Sequence, residues 1–272
     1  MMAIKVSEIH IYPVKSCKGI ALSSAWLDAR GLRFDREWMI IDDHNRFMTQ
    51  RNNPTMALIE TALSNTGLRL TLPDSSFVDI SLTLPPIDQR IVEVWGDQCQ
   101  AIDQGEAAAQ FLSQFLEKPC RLVRMAATWV RTVDQNFAPP GSQTAFSDGY
   151  PLLGISEASL ADFNARLPQP VPMNRFRPNL VFSGSDAYAE DRWHTVRVGE
   201  IVFRGVKRCS RCRITSVNQS TGEFTSNLVL DTLAEYRKID RGLVFGQNLV
   251  HVGSGQVHLG APVQVIVESD LP

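Results

Sequence analysis

The feature of this sequence that most limits its fold is a series of short, β-branched runs separated by turn residues. A regular alternation of strands with helices, which would indicate a doubly wound parallel sheet, is missing from the pattern. We therefore predict a mainly β fold with some α, of β-barrel-like or α+β architecture. A first strand is predicted at residues 4–14. Hairpins are predicted from residues 37–42 to 47–50, 56–63 to 68–72, 91–95 to 99–102, and within 197–206.

Three segments have the apolar period of an amphipathic helix instead. They are residues 106–117, 157–167 and 230–238, and Ser156 is placed to cap the second of them. Residues 134–146 are polar and rich in Pro and Gly, which predicts a long loop. We expect a few helices inserted between many short strands.

Composition excludes several classes of function. The 272 residues are 44% hydrophobic and 21% charged, as in an average soluble globular protein. The 27 basic and 29 acidic residues nearly balance, so no overall field favours nucleic acid or an anionic membrane. No apolar stretch approaches the roughly 20 residues that span a bilayer, and the start lacks the pattern of a secretory signal. We therefore predict a soluble cytoplasmic protein with no nucleic-acid or membrane partner.

The most informative segment for chemistry is residues 204–213, RGVKRCSRCR. It contains a Cys-x-x-Cys pair, Cys209 and Cys212, and no acidic residue. Nearby cations lower the pKa of a thiol, and the resulting thiolate serves as a nucleophile, a redox centre or a metal ligand. The same cations would suit an anionic cofactor. The basic residues are Arg204, Lys207, Arg208, Arg211 and Arg213.

Several interpretations of the cysteine pair stay open. A zinc site or an iron–sulfur cluster needs four ligands, and the remaining Cys and His residues are not at motif spacing. A thioredoxin-like dithiol opens a helix, whereas residues 214–217 resemble a strand. The pair would otherwise be two ordinary cysteines in a basic turn. A single thiolate that binds a metal already held by another scaffold is the remaining possibility.

Five other segments combine charged or small residues with turn signals. Each has an ordinary interpretation as a solvated turn, a surface ion pair or a strand bulge. Residues 12–19 and 175–179 also have a functional one, because backbone amides and basic side chains in such turns bind anions. The segments are residues 12–19 (YPVKSCKG), 34–38 (FDREW), 146–151 (FSDGYP), 175–179 (RFRPN) and 245–248 (FGQN).

Six segments, spread from the start of the chain to its end, carry a family resemblance. They are YPVKSCKG, FDREWMIID, ISEASLADFNARL, RFRPNLVFSG, CSRCRITSV and LVFGQNL. The same segments occur in the same order in MOSC-domain proteins that carry a MOSC N-terminal β-barrel domain. The sequence most resembles the bacterial reductases of N-hydroxylated compounds and the mitochondrial amidoxime-reducing components. This resemblance implies an N-terminal β-barrel-like domain at residues 1–120 and a MOSC domain at residues 121–272.

The resemblance also implies a molybdenum cofactor, molybdopterin with its metal bound by one protein cysteine. In the family the second cysteine of the pair is the ligand, which is Cys212 here, and Cys209 would be a neighbour in the site. Asp148 matches an acidic residue near the metal, which would position water or relay protons. The positions that match cofactor-binding residues of the family are Lys15, Ser16, Arg36, Gly149, Tyr150, Arg177, Asn179, Ser210, Arg211 and Asn248.

The function that the resemblance implies is the reduction of N-hydroxylated substrates, such as amidoximes or hydroxylamino bases, to the amine and water. The best-known bacterial relatives carry a C-terminal [2Fe–2S] ferredoxin domain, which this sequence lacks before its end at Pro272. We therefore expect a separate electron donor of the ferredoxin or flavoprotein type, attracted by the basic segment around Lys207 and Arg208. The alternatives are a non-catalytic carrier of molybdopterin or sulfur, and a small dithiol protein that uses Cys209 and Cys212.

Overall fold

The computed structural model describes residues 3–83, 88–239 and 242–269. These residues are mainly β-strand with three α-helices, which confirms the predicted fold class. The strands are β1 (Lys5–Ile11), β2 (Ile20–Leu22), β3 (Ser24–Asp28), β4 (Gly31–Leu32), β5 (Trp38–Ile41), β6 (Glu60–Leu63), β7 (Gly67–Thr71), β8 (Phe77–Ser81), β9 (Gln89–Val94), β10 (Asp97–Asp103), β11 (Arg121–Met125), β12 (Leu152–Ser156), β13 (Leu180–Ser183), β14 (Trp193–Val198), β15 (Ile201–Ser210), β16 (Val217–Asn218), β17 (Glu223–Phe224), β18 (Lys238–Ile239), β19 (Gly242–Val252), β20 (Gly255–His258) and β21 (Val263–Glu268). The helices are α1 (Glu106–Leu116), α2 (Glu157–Asn164) and α3 (Leu228–Tyr236), and 3-10 turns lie at Pro54–Leu58, Met173–Arg175, Ala189–Arg192 and Arg213–Ser216. Within the described ranges, no helix is both long enough and apolar enough to cross a bilayer.

The largest sheet joins strands from both halves of the chain. Its order is β2-β1-β13-β12-β19-β15-β14-β21, with β18 paired to β19. Strands β12 and β13 are parallel, whereas β1 and β13, β12 and β19, and β15 and β19 are antiparallel. Val6 and Ile9 of β1 share one apolar core with Phe182, Trp193 and Phe203. The first strand of the chain is therefore part of the core that its second half builds.

The remaining large layer comes from the first half of the chain. It contains the sheets β5-β11-β10-β9 and β6-β7-β8. Helix α1 buries Leu112 and Leu116 in a cluster with Trp38, Leu70 and Leu122. A third small sheet, β20-β3-β4, pairs a strand near the end of the chain with two near its start. The apolar face that the sequence predicts for α1 is thus the face that holds these layers together.

Most of the secondary structure predicted from the sequence is confirmed. The hairpins β6–β7, β9–β10 and β14–β15 form at the predicted turns, although residues 56–58 belong to a 3-10 turn and not to the predicted strand. The three helices overlap the predicted helical segments. Ser156 caps α2, because its hydroxyl accepts a hydrogen bond from the Ser159 amide. The polar residues 134–146 are a loop without a named strand or helix.

One predicted element is wrong, one predicted hairpin is shorter than expected, and one long strand is additional. The hairpin from residues 37–42 to 47–50 forms over a few residues: Ile41 makes an antiparallel bridge to Phe47, and the Met48 amide donates to the Ile40 carbonyl at 2.8 Å. Strand β5 also pairs with β11. Residues 214–217 form mostly a 3-10 turn rather than a strand. Strand β19 was not predicted, because Gly246 interrupts its apolar pattern and the pairing register with β15 shifts nearby.

Candidate active site

One cleft brings together every residue that the family resemblance assigns to the cofactor site. Its lining combines buried cations, one carboxylate and the two cysteines of the Cys-x-x-Cys pair. The predicted residues in it are Lys15, Ser16, Arg36, Asp148, Gly149, Tyr150, Arg177, Asn179, Ser210, Arg211, Cys212 and Asn248. Their convergence is a finding of the structure, whereas the role of each stays a prediction.

The sheet order explains why these distant segments meet. Strands β1, β13, β12, β19 and β15 are consecutive neighbours in the large sheet. The C-terminal end of β1 and the N-terminal ends of β12 and β13 lie at the same edge, because of how these strands pair. The segments at this edge carry Lys15, Asp148 and Arg177. Strand β15 runs in the same direction as β12, and Ser210, Arg211 and Cys212 enter the cleft from its C-terminal end. Asn248 lies on β19 itself, opposite Leu153 and Lys207.

Two guanidinium groups of the cleft lie over one buried tyrosine ring. The guanidinium carbons of Arg36 and Arg177 are 4.3 Å and 4.2 Å from the centroid of the Tyr12 ring. Burial raises the pKa of Tyr12 to about 12, although both arginines act against this rise, so the ring stays a neutral phenol. A β-carbon at Gly19 would lie 2.5 Å from this ring, so position 19 of YPVKSCKG requires glycine.

Three cleft residues have a left-handed backbone, which is costly for side chains other than glycine. The φ angles are 68° at Ser16, 49° at Arg36 and 55° at Arg177. Such conformations cost about 1–2 kcal/mol per residue and persist where the surrounding structure imposes them, often at functional sites. Three of them at one cleft indicate that backbone strain is used to aim these side chains.

The Asp35–Arg36 pair is buried, and the interpretation of it as a surface ion pair is wrong. Arg36 Nη1 donates to Asp35 Oδ2 at 2.6 Å, and these side chains are 14% and 2% exposed. The same Nη1 donates to Asn179 Oδ1 at 2.9 Å. Asn179 also accepts from the Leu153 amide and donates to the His10 carbonyl. The side-chain amide of Asn179 therefore holds Arg36 in place and links strands β1 and β12.

Lys15, Asp148, Arg51 and Trp95 form a connected group at the side of the cleft. The buried Lys15 Nζ donates to Asp148 Oδ1 at 2.5 Å and to the Phe146 carbonyl at 2.8 Å. Asp148 also accepts from the Trp95 indole at 3.0 Å and lies 3.6 Å from Arg51 Nη2. Burial lowers the pKa of Lys15, although Asp148 opposes this effect.

The carboxylate of this group is held in its ionised form. Partial desolvation acts to raise the pKa of Asp148, but Lys15, Arg51 and the Trp95 indole together hold it well below its usual range. Asp148 is therefore an acceptor of hydrogen bonds near neutral pH, and not a proton donor. Asp148 is predicted to position water or relay protons. Because it is ionised and paired with Lys15, any proton relay through this pair would have Lys15 as the group that carries the proton.

Each cysteine of the pair is contacted by a different arginine. Arg51 Nη2 lies 3.1 Å from Cys212 Sγ, and Arg211 Nη1 lies 3.0 Å from Cys209 Sγ. Burial raises the pKa of Cys209, and Arg211 offsets only part of that rise. For Cys209, the expectation that nearby cations lower the thiol pKa is therefore wrong.

The other basic residues of RGVKRCSRCR contact groups other than these sulfur atoms. Lys207 lies over the Phe137 ring at 4.2 Å, and Arg213 over the Phe224 ring at 3.8 Å. The Arg208 side chain is largely buried, with Nε 3.7 Å from Asp191 Oδ2. The sequence predicts Arg208 to be an exposed cation that attracts an acidic electron donor, and its burial contradicts that prediction.

Sequence reasoning missed Arg51, which contacts the predicted metal ligand directly. It lies in the polar stretch TQRNNP, between β5 and the turn Pro54–Leu58, where nothing in the local pattern marks a site. Its guanidinium carbon is also 4.4 Å from the centroid of the Trp95 ring. Only the tertiary structure brings Arg51 next to Cys212, which is far from it in sequence.

Buried, unpartnered donors show which kind of ligand the cleft fits. Among the described residues, Arg51 Nη1, Arg177 Nη2 and Arg211 Nε are buried without a hydrogen-bond partner, and all three side chains line the cleft. A buried donor without an acceptor costs about 1–3 kcal/mol. Burial also lowers the pKa of Arg177 to about 10. An anionic group with several acceptor oxygens would satisfy these donors, and the neighbouring thiol is a soft metal ligand.

Comparison with known proteins agrees with this geometry. Residues 3–119 match the family model of the MOSC N-terminal beta barrel domain, and residues 141–264 match that of the MOSC domain. This chain belongs to the MOSC family. Both matched regions contribute residues to the cleft. Lys15, Arg36 and Arg51 lie in the first region, and Arg177 and Cys212 lie in the second.

Curated MOSC relatives match nearly the whole chain. Mitochondrial amidoxime-reducing component 1 of Homo sapiens is 37% identical over 280 residues, which cover 96% of this chain and 82% of the relative. Mitochondrial amidoxime reducing component 2 of Homo sapiens is 35% identical, covering 86% of this chain and 73% of the relative. Molybdenum cofactor sulfurase of Oryza sativa subsp. japonica is 32% identical, over 89% of this chain but 32% of its own length. These matches confirm the family resemblance seen in the sequence.

Proposed function

We propose that this MOSC protein is a molybdenum-cofactor oxidoreductase that reduces N-hydroxylated compounds. The observation that carries the proposal is the cleft, in which unpartnered buried arginine donors and a solvent-accessible thiol lie together. The relatives named as amidoxime-reducing components, at 35% and 37% identity, support the same reaction class. The name of the sulfurase relative supports the same cofactor.

Different residues would hold different parts of the cofactor: the arginines its anionic oxygens, and the cysteine its metal. Arg36, Arg177 and Arg211 would hold its anionic oxygens, because their guanidinium groups present fixed forks that suit phosphate. Cys212 would bind the metal, and Arg51 would stabilise the negative sulfur. Bound in this way, the cofactor supplies the two-electron redox chemistry that the side chains lack.

The protein groups would then handle protons and water. Reduction of an amidoxime breaks its N–O bond, consumes two electrons and two protons, and releases an amidine and water. Lys15 Nζ is a proton carrier beside the cleft, and its lowered pKa makes it a stronger acid than an exposed lysine. Asp148 stays ionised and keeps this ammonium group oriented through their hydrogen bond.

The electrons would come from a separate donor of the ferredoxin or flavoprotein type. Such docking contacts are transient and bury modest surface areas. Since Arg208 is buried beside Asp191, the donor would approach through other surface near the cleft. The cytoplasmic location stays a prediction from the sequence.

The test is steady-state reduction of benzamidoxime by protein purified from a host that makes the cofactor, with molybdenum and pterin measured first. We expect benzamidine to form when a ferredoxin or flavoprotein reductase, or reduced methyl viologen, is present, and not with nicotinamide cofactor alone. The Cys212→Ala variant is the matched control. Full molybdenum loading without turnover from any donor would contradict the proposal and favour a carrier of the cofactor.

A further inference from the structure

An exposed tryptophan occupies a strained turn beside the cleft. Trp95 lies at the tip of the β9–β10 hairpin, is 47% exposed and has a φ of 55°, and the next residue, Gly96, has a φ of 87°. A two-residue turn with two positive φ angles favours Asn-Gly or Asp-Gly. For a bulky residue this conformation is a genuine outlier, and such outliers cluster at ligand sites. The turn would form more easily with Asn or Asp at position 95, so the tryptophan is not there to stabilise the turn. Its strained conformation indicates a functional role for the side chain.

The contacts of the indole connect it to the reacting end of the cleft. Its N–H donates to Asp148 Oδ1 at 3.0 Å. Its ring lies 4.4 Å from the Arg51 guanidinium carbon and 4.9 Å from the centroid of the Phe47 ring. Arg51 in turn lies 3.1 Å from Cys212 Sγ. A single side chain therefore separates the indole from the predicted metal ligand.

The hairpin tip is fixed to the loop that carries Asp148. Asp97, the first residue of β10, accepts from Arg131 Nε at 2.8 Å. The buried Arg131 also donates to the Ala145 and Ser147 carbonyls, at 2.9 Å and 2.7 Å. Because Ser147 precedes Asp148, one arginine holds the turn and the cleft loop together. The exposed indole is thus held at a constant position relative to the cleft.

We propose that Trp95 is a specificity-determining residue, whose exposed indole surface packs against the planar part of the substrate. Ligand sites combine aromatic surface with a few polar groups, and the cleft lining itself is dominated by charged and polar residues. An aryl amidoxime would pack on Trp95 with its N-hydroxyl end toward Cys212. This inference rests on the proposed function, and it adds that aromatic substrates bind better than alkyl ones.

The test compares Trp95→Leu and Trp95→Phe with the wild type, using benzamidoxime and acetamidoxime as aryl and alkyl substrates. Loss of one aromatic contact, worth about 0.5–1.5 kcal/mol, predicts a rise in KM for benzamidoxime of roughly three- to ten-fold in Trp95→Leu. We expect the KM for acetamidoxime to change less than about two-fold, since the alkyl group gains little from the ring. Any fall in kcat from loss of the indole hydrogen bond to Asp148 should be the same for both substrates and for both variants, since Trp95→Leu and Trp95→Phe both remove the N–H. Trp95→Phe keeps an aromatic ring without the N–H, so most of the benzamidoxime affinity should be retained. Trp26→Leu, which replaces an exposed tryptophan on β3, is the control and should match the wild type.

Equilibrium binding separates this inference from the proposed function. Benzamidoxime is titrated into cofactor-loaded protein without any electron donor, and the dissociation constant of Trp95→Leu should rise by the same factor as KM. Weakened binding in Trp95→Leu supports the inference even if no variant turns the substrate over. Equal rises in KM for benzamidoxime and acetamidoxime in Trp95→Leu, or a rise for benzamidoxime in Trp95→Phe as large as in Trp95→Leu, would overturn it, because the effect would then not depend on an aryl contact. A changed KM for the donor protein alone would also overturn it, because Trp95 would then be a docking residue.

Discussion

Two sulfur atoms three positions apart have different environments at the scale of single residues. Cys212 is contacted by Arg51, from the first half of the chain, and Cys209 by Arg211, its near neighbour in sequence. Burial raises the pKa of Cys209, which disfavours its thiolate at neutral pH. The difference agrees with Cys212 as the metal ligand and Cys209 as a neighbour.

Replacement of the two cysteines should therefore have unequal effects on metal content. Cys212→Ala is expected to lose nearly all molybdenum, and Cys209→Ala to keep more than about half, because one thiolate is the metal ligand in this arrangement. Molybdenum per protein, measured by elemental analysis after purification from the same host, is the readout. Equal molybdenum in the wild type and Cys212→Ala would contradict the ligand assignment. Wild-type protein that contains no molybdenum and needs both cysteines would favour the dithiol interpretation.

The Lys15–Asp148 pair predicts a stability change that depends on pH. Asp148→Asn leaves the buried Lys15 ammonium without its counter-charge, and we expect a loss of about 1–2 kcal/mol near neutral pH, since the carboxylate is 60% exposed. The folded pKa of Asp148 lies below the usual value of about 3.9, so the loss should fade as pH falls from about 4. It should also fade toward alkaline pH, as Lys15 deprotonates below the usual value of about 10.4.

Urea unfolding of the wild type and Asp148→Asn across this pH range is the measurement. Asp79→Asn, which breaks an exposed ion pair with Arg69, is the control and should show a smaller effect. A destabilisation of Asp148→Asn that stays constant from acid to alkaline pH would show that the pair does not carry charge as described.

At the scale of elements, one glycine allows the central strand β19 to pass close to β12. Gly246 has a φ of 81°, and a β-carbon there would lie 2.6 Å from Ile155 Cγ1 and 3.0 Å from the Gly154 carbonyl oxygen. The register shift between β15 and β19 occurs in the same region. Because Ser210 and Asn248 both lie near this irregularity, the glycine helps to place the cleft lining.

Alanine at two glycines should separate steric clash from backbone strain. Gly246→Ala combines an unfavourable φ with a clash, and we expect a loss of roughly 2–4 kcal/mol in the free energy of unfolding. Gly253 has nearly the same φ, 80°, but nothing lies within 4 Å of an added β-carbon, so Gly253→Ala should cost only about 1 kcal/mol. Urea unfolding monitored by circular dichroism measures both. Equal losses would show that the close approach of β19 and β12 does not constrain position 246.

At the scale of the whole molecule, strands and side chains from the first half of the chain complete the sheet and the core of the second half. β1 and β2 occupy one end of the sheet that the second half forms, and Val6, Ile9 and Leu27 enter its core. The cleft likewise takes cations from residues 15–51 and sulfur from residues 209–212. The domain boundary at residue 120 stays a prediction. Because strands of the first half complete the sheet of the second, we expect that the second half does not fold independently.

Separation of the chain at residue 120 should therefore yield halves that need each other. We expect residues 121–272 alone to aggregate or to unfold without a cooperative transition, because β13 would be an unpaired edge and the core would lose the side chains of β1. Co-expression with residues 1–120 should restore a soluble complex with a single thermal transition. Cooperative unfolding of residues 121–272 alone, near the melting temperature of the whole protein, would contradict this expectation.

Local pattern by itself determined the mainly β fold, the hairpins around Gly96 and Gly199, the helices and the cap at Ser156. These features depend on neighbours in sequence, where alternation, turn residues and capping act directly. The six family segments further placed the predicted site residues, all of which meet in one cleft. The partner of β5, the long strand β19, and the contacts of Arg51 and Trp95 were decided only by the tertiary structure. Electrostatic and packing interactions depend on separation in space, so a cation next to Cys212 in sequence, Arg213, lies over Phe224, whereas Arg51 lies at the sulfur.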